Sequence, residues 1–132
     1  MAEIAPNAEA RIDLGEAGAG GAGNNGVSLI QLQVVATGNQ LQASAEVAPI
    51  SVLDTVNALG VVACDPNGSP KCSANVSIFG GGGSAGTNVV CSASFNTYNR
   101  QTDGTTFVCI AQGEVNHGGV SRMFSFAQTF TV

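Results

Sequence analysis

The sequence has little positive charge and no long apolar run. Only 4 of its 132 residues are lysine or arginine, against 9 aspartates and glutamates, and the net charge is −5. Nucleic-acid binding and attraction to an anionic membrane both depend on clustered basic residues, so we expect neither. No apolar run approaches the roughly 20 residues that span a bilayer, and we therefore expect no membrane insertion.

Residues that commonly form catalytic or metal sites are also scarce. His117 is the only histidine, and it lies in an Asn-His-Gly-Gly sequence that is typical of a turn. No serine is surrounded by the Gly-x-Ser-x-Gly pattern of a nucleophile elbow, and Gly80–Gly83 lacks the Gly-Lys-Ser/Thr ending of a phosphate loop. We therefore predict a protein that is not an enzyme and that binds no cofactor and no metal.

Apolar and polar residues alternate with a period of two along much of the chain. Leu41, Ala43, Ala45 and Val47 alternate with polar residues in the clearest example. Turn sequences separate such segments every ten to fifteen residues, a spacing that predicts about eight strands. The predicted fold is an all-β, antiparallel β-sandwich, immunoglobulin-like or jelly-roll-like, and a closed barrel is the alternative.

The chain is predicted to form a single domain in two parts. Residues 27–132 make up the sandwich body, and residues 1–26 precede it. In this N-terminal part, Glu9–Leu14 alternates as a short strand, and Gly15–Gly26 is a connector rich in glycine and alanine. Gly38-Asn39 predicts a hairpin turn within the body, and Gly80–Thr87 a loop.

Four cysteines, Cys64, Cys72, Cys91 and Cys109, fall within predicted strands. The first two are equidistant from Gly68 in the Asp65–Pro70 turn, and the last two from Arg100 in the Tyr98–Gly104 turn. Residues symmetric about a hairpin turn face each other, so we expect Cys64–Cys72 and Cys91–Cys109 disulfides. Zinc ligation is disfavoured because the first pair does not have C-x₂₋₄-C spacing, and four buried thiols are the remaining alternative.

The expected disulfides indicate an extracellular or cell-surface location. The first residues lack a signal-peptide pattern, so either the protein is cytosolic or Met1 precedes a mature sequence, and the cysteines favour the second interpretation. The tethered N-terminal strand, with Ala10, Ile12 and Leu14 on one parity, is expected to pair within its own sheet or with a second copy. The leading hypothesis is a secreted, fimbria-like structural subunit that self-associates.

A small extracellular binding module is the second hypothesis. It would act through the Gly80–Thr87, Tyr98–Gly104 and Asn116–Gly119 loops as a small-ligand carrier, a carbohydrate binder or an inhibitor. Tyr98, Arg100 and His117 are the candidate binding residues because they are the strongest interaction side chains in those loops. The scarcity of aromatic residues disfavours sugar stacking.

Overall fold

Alternating apolar and polar residues form the strands of an all-β protein. The structure, a computed structural model, describes residues 9–13, 26–72, 75–84 and 88–132. The described strands are β1 (Glu9–Asp13), β2 (Val27–Thr37), β3 (Gln40–Pro49), β4 (Asp54–Cys64), β5 (Asn75–Ser84), β6 (Val89–Phe95), β7 (Thr106–His117) and β8 (Val120–Thr131). A single turn of helix, α1 (Arg100–Asp103), lies between β6 and β7. Within these ranges no helix is long and apolar enough to cross a bilayer.

The strands form two antiparallel sheets. Sheet A has the order β1-β2-β3-β6, and sheet B has the order β5-β4-β7-β8. The prediction of an all-β, antiparallel, sandwich-like fold is confirmed. The Gly38-Asn39 turn is also confirmed, since β2 and β3 form a hairpin in which Thr37 faces Gln40.

The inner faces of both sheets supply the core. In β3, the predicted inward residues Leu41, Ala43, Ala45 and Val47 are all buried. Phe107 on β7 and Phe124 on β8 are the largest fully buried side chains. Burying one such side chain contributes roughly 1.5–3 kcal/mol, so the regular alternation holds the two sheets together.

The strands run between two ends of the sandwich, which carry different turns. The "Gly26 end" contains Gly26, the 50–53 turn and the 118–119 turn, and the "Gly68 end" contains the turns at 38–39, 65–70 and 96–105. A hydrogen bond from the Gly118 amide to the Leu53 carbonyl, 3.0 Å long, joins two of the turns at the Gly26 end. Residues on these two sets of turns therefore lie at opposite ends of the molecule.

Two segments differ from the sequence-based expectation. The sequence from Ile50 to Val56 predicts a short strand, but residues 50–53 form a turn, in which the Leu53 amide donates to Ser51 Oγ at 3.1 Å. β4 then continues without interruption from Asp54, and its bulge lies between Val56 and Ala58. The predicted Gly80–Thr87 loop is wrong over its first part, because β5 continues through Ser84, and residues 85–87 lie outside the described residues.

Candidate functional site

β1 forms the edge of sheet A and pairs with β2 over its whole length. The register runs from Glu9 opposite Val35 to Asp13 opposite Gln31. Ala10 and Ile12, two of the three predicted assembly residues, lie opposite Val34 and Leu32, whereas Leu14 lies outside the described residues. This pairing uses the backbone ladder of β2, which any antiparallel strand of suitable length can use.

The connector from β1 reaches the sandwich at Gly26. Its φ of +86° is in the region that favours glycine, and a Cβ at this position would lie 2.8 Å from Asp54 Oδ2. The Gly26 carbonyl accepts a hydrogen bond of 2.9 Å from the Ile50 amide. Gly26 is therefore a fixed attachment point for the connector.

Tyr98 does not lie on the surface as the binding hypothesis requires. Only 4% of the residue is exposed. Its ring meets Phe107 edge to face at 6.1 Å between ring centroids, and its hydroxyl donates to the Gly104 carbonyl at 2.6 Å. The ring of Tyr98 therefore completes the core and its hydroxyl closes the 96–105 turn, which leaves little of this predicted binding residue accessible to a ligand.

Arg100 and His117 lie at opposite ends of the sandwich. Arg100 begins α1 at the Gly68 end, where the Asn99 side chain accepts a hydrogen bond from the Gln101 amide at the start of the helix. His117 is the last residue of β7 at the Gly26 end. The three predicted binding residues therefore do not converge on one site.

His117 has a partner that sequence reasoning missed. Its Nδ1 lies 2.5 Å from Oδ1 of Asp54, which stands opposite it across β4 and β7 and is only 2% exposed. Asp54 Oδ2 also accepts a hydrogen bond of 3.3 Å from the Ser51 amide. Asp54 therefore joins β7, the 50–53 turn and the Gly26 attachment point. Only the β4–β7 register could have revealed this pair.

Exposed apolar side chains accompany this pair at the Gly26 end. Val52 in the 50–53 turn is 87% exposed, and Ile50, Leu53 and Val120 are each more than half exposed. Isolated apolar residues are common on protein surfaces, but here four lie on two turns that a backbone hydrogen bond connects.

The cysteines do not face each other as predicted. No disulfide joins the four, and all four are buried thiols. Cys64 lies opposite Pro70, since the turn between them closes with a hydrogen bond of 3.0 Å from the Asp65 amide to the Ser69 carbonyl. The amides of Lys71 and Cys72 then both donate to the Ala63 carbonyl and form a bulge. The hairpin register that predicted the Cys64–Cys72 disulfide is therefore wrong, and the register that predicted Cys91–Cys109 is wrong as well.

The second cysteine pair is separated between the two sheets. Cys91 lies opposite Ala45 in sheet A, and Cys109 lies opposite Ala63 in sheet B. The segment containing α1 crosses from one sheet to the other, so β6 and β7 are not a hairpin and the symmetry about Arg100 has no structural meaning.

Three of the thiols lie near one another. Burial raises the pKa of Cys109 to about 12, with smaller contributions from the neighbouring thiols of Cys72 and Cys64. Burial likewise raises the pKa of Cys72 to about 11, and the Cys72 thiol donates to the Leu41 carbonyl at 3.3 Å. These thiols are therefore protonated and unreactive at neutral pH while the protein is folded.

The outer face of sheet B carries a groove that sequence reasoning did not predict. The groove has a volume of about 510 Å³ and is bordered by β4, β7 and β8, with Asn57, Gly60, Val62, Ile110, Glu114 and Met123 among its lining residues. We call it the sheet B groove. It begins beside the bulge between Val56 and Ala58, where the regular surface of the sheet is interrupted. Strand alternation alone predicts a flat outer face and gives no indication of this recess.

Comparisons with known proteins give no indication of function. No protein family, no curated protein and no solved structure matches this chain. Within the described residues, no three histidine, cysteine, aspartate or glutamate side chains are grouped so that they could hold a metal ion. The candidate surfaces are therefore the β1 edge and the sheet B groove.

Proposed function

We propose that this protein is a secreted or cell-surface structural subunit, without enzymatic activity, that self-associates by exchanging β1 between copies. One observation carries the proposal: β1 is an edge strand that pairs with β2 along all 5 of its residues. The ladder is made by backbone groups, so the β1 strand of a second copy can adopt the same register. Exchange of an identical element then costs little in contacts.

The length of the connector permits β1 to pair with the β2 strand of its own copy or with that of a second copy. Twelve residues, 14–25, separate Asp13 from Gly26. Asp13 lies beside Gln31, so the connector must cover five residue spacings of β2, which is about 17 Å. A flexible chain of twelve residues spans about 20 Å on average, so a connector of this length can link β1 to the β2 strand of the same copy without strain.

The length of the connector also predicts how self-association depends on concentration. We expect a connector of this length and glycine-rich composition to hold β1 near its own β2 at an effective concentration in the millimolar range. Exchange therefore becomes extensive only when subunits are crowded to similar concentrations, as on a cell surface. At micromolar concentration we expect a monomer.

Shortening the connector tests the proposal. Deleting residues 15–25 leaves Leu14 alone between Asp13 and Gly26, and two residue spacings reach only about 7 Å. Unpairing β1 from Asp13 onward lengthens the required distance and the free chain equally, so the observed register cannot form within one copy, whereas exchange between copies keeps all five pairs. We expect the shortened protein to form oligomers or filaments at micromolar concentration, measured by size-exclusion chromatography with light scattering and by negative-stain microscopy.

Two further variants serve as controls. Replacing residues 15–25 by an equally long Gly-Ser sequence should preserve the monomer at micromolar concentration, and deleting residues 1–26 should prevent assembly at every concentration. A shortened protein that remains a folded monomer, with the β2 amides at 31–35 protected from hydrogen exchange, would show that β1 does not exchange.

Export and disulfide formation belong to the same proposal. Their support is the cluster of Cys64, Cys72 and Cys109, since clustered thiols can be oxidised to a disulfide in an oxidising compartment. Peptide mapping without reduction, on protein expressed in such a compartment, should find a disulfide within this cluster. Recovery of four thiols would argue against an oxidising location.

Binding through the loops is the weaker alternative. Its three candidate residues are divided between the core and the two ends of the molecule, so they form no common surface.

A further inference from the structure

Glu114 is the acidic residue of the sheet B groove. It lies on the outer face of β7, opposite Ala58 on β4 and Met123 on β8. It is half-buried, and its Oε1 accepts a hydrogen bond of 3.3 Å from Asn57 Nδ2. A carboxylate has about four acceptor positions, so this one bond leaves capacity for a ligand.

The surroundings of Glu114 are mainly apolar. Val62 and Ile110 lie opposite each other on β4 and β7, and Met123 is 63% exposed on β8. The groove volume of about 510 Å³ lies in the range of small-molecule sites, roughly 300–1,000 Å³. A ligand with an apolar body of modest size therefore fits the groove.

Among the residues whose side chains the structure describes, no basic residue lines the groove beside Glu114. Arg11 is in β1 of sheet A, and Arg100 is in α1 at the Gly68 end. Lys71 Nζ lies 3.4 Å from Asp103 Oδ1, also at that end.

Arg122, the fourth basic residue, lies opposite Val115, which is fully buried on the inner face of sheet B. Facing residues project from the same side of a sheet, so the Arg122 side chain projects from the face opposite to that of Glu114. The sequence of β5, Asn75–Ser84, contains no ionisable residue. A partly desolvated carboxylate in these surroundings, on a protein of net charge −5, attracts a cation.

We propose that the sheet B groove binds a small organic ammonium ion with an apolar body. The ammonium group donates hydrogen bonds to the Glu114 carboxylate, and the apolar body lies against Val62, Ile110 and Met123. This site goes beyond the proposed assembly function, since it uses the outer face of sheet B rather than the edge of sheet A.

Three probes of the same shape and different charge test the proposal. They are 1-naphthylmethylammonium, neutral 1-naphthylmethanol and the anion 1-naphthoate, each titrated into the full-length protein at pH 7. Dissociation constants come from NMR shifts of the β4 and β7 backbone amides. We expect the ammonium probe to bind about tenfold more tightly than the alcohol, because a charge-assisted hydrogen bond at a half-buried site is worth roughly this factor, and the anion to bind most weakly.

A matched pair of variants separates the local site from general charge effects. Glu114→Gln preserves the shape and should remove the preference for ammonium over alcohol. Glu46→Gln makes the same charge change on sheet A, where Glu46 Oε2 accepts a hydrogen bond of 2.6 Å from Asn88, and it should leave binding unchanged. Thermal melting of both variants establishes that they are folded.

Three results would overturn the proposal. The first is equal binding of ammonium and alcohol to the unmodified protein, or no binding of any probe. The second is an equal loss of ammonium binding in Glu46→Gln and Glu114→Gln. The third is a set of shifted amides that lies outside β4, β7 and β8.

Discussion

Replacing Gly113 by alanine should destabilise this protein strongly, although the substitution adds only one methyl group. Gly113 lies on the inner face of β7, opposite Leu59 on β4 and Phe124 on β8. A Cβ at this position would lie 1.9 Å from the Ala58 carbonyl oxygen and 2.7 Å from Phe124 Cζ. Contacts this short do not occur, so β7 and β4 would have to separate by about 1 Å beside the bulge.

The cost follows from what such a separation breaks. Ladder hydrogen bonds of about 2.9 Å would lengthen beyond the range in which they contribute, and overpacking of this kind commonly costs 1–3 kcal/mol by itself. Together with two lost hydrogen bonds, at about 1 kcal/mol each, we expect Gly113→Ala to lower the free energy of unfolding by about 3–5 kcal/mol. For a chain of this length that corresponds to a melting temperature lower by roughly 10–15 °C, measured by circular dichroism.

Gly38→Ala is the matched control. Gly38 has a φ of +58°, and a Cβ there would meet no atom within 4 Å, so the substitution costs only backbone strain, about 1 kcal/mol. Gly113 has no such backbone requirement, and its cost is steric. If both variants melted at the same temperature, or if Gly113→Ala melted within about 3 °C of the unmodified protein, this account of the β4–β7 contact would be refuted.

Two further predictions concern the core. Tyr98→Phe removes the donor to the Gly104 carbonyl and should cost about 1–2 kcal/mol in urea unfolding, whereas a neutral result would show that this hydrogen bond does not stabilise the 96–105 turn. In reducing buffer, the contribution of Cys109 to stability should be constant below pH 9 and should be lost above it, because burial raises the folded-state pKa of Cys109 from 9.0 to about 12 and only the unfolded chain ionises between these values. Cys109→Ala should make this loss shallower by up to about 1.4 kcal/mol per pH unit, and an unchanged slope would contradict the burial of this thiol.

The fold class could be predicted from the sequence because it depends on a local property. The inward residues of β3 alternate without exception from Leu41 to Val47, and each is buried in the structure. The Gly38-Asn39 turn is also a local signal, since the conformation of two residues determines the hairpin. Such features need no knowledge of which strands are neighbours.

The cysteine pairing could not be predicted because it depends on neighbours. Equal spacing about Arg100 indicates facing residues only if β6 and β7 form a hairpin, and they belong to different sheets. At the other turn, the chain closes so that Pro70 rather than Cys72 lies opposite Cys64, and a bulge then places both Lys71 and Cys72 against the Ala63 carbonyl. The Asp54–His117 pair and the sheet B groove depend on the β4–β7 register in the same way, and the groove depends also on a bulge that no sequence pattern marked.

The two proposed surfaces are structurally independent, and this bears on how they can act together. Strand exchange replaces one β1 by an identical β1 at the edge of sheet A, so the inner faces and the whole of sheet B keep their contacts. The sheet B groove is bordered by β4, β7 and β8, and none of these strands pairs with β1 or β2. An assembly linked through β1 therefore leaves one groove open on every subunit. A chain that can assemble without covering its grooves can present many weak sites side by side, and the resulting avidity exceeds what a single half-exposed carboxylate can supply.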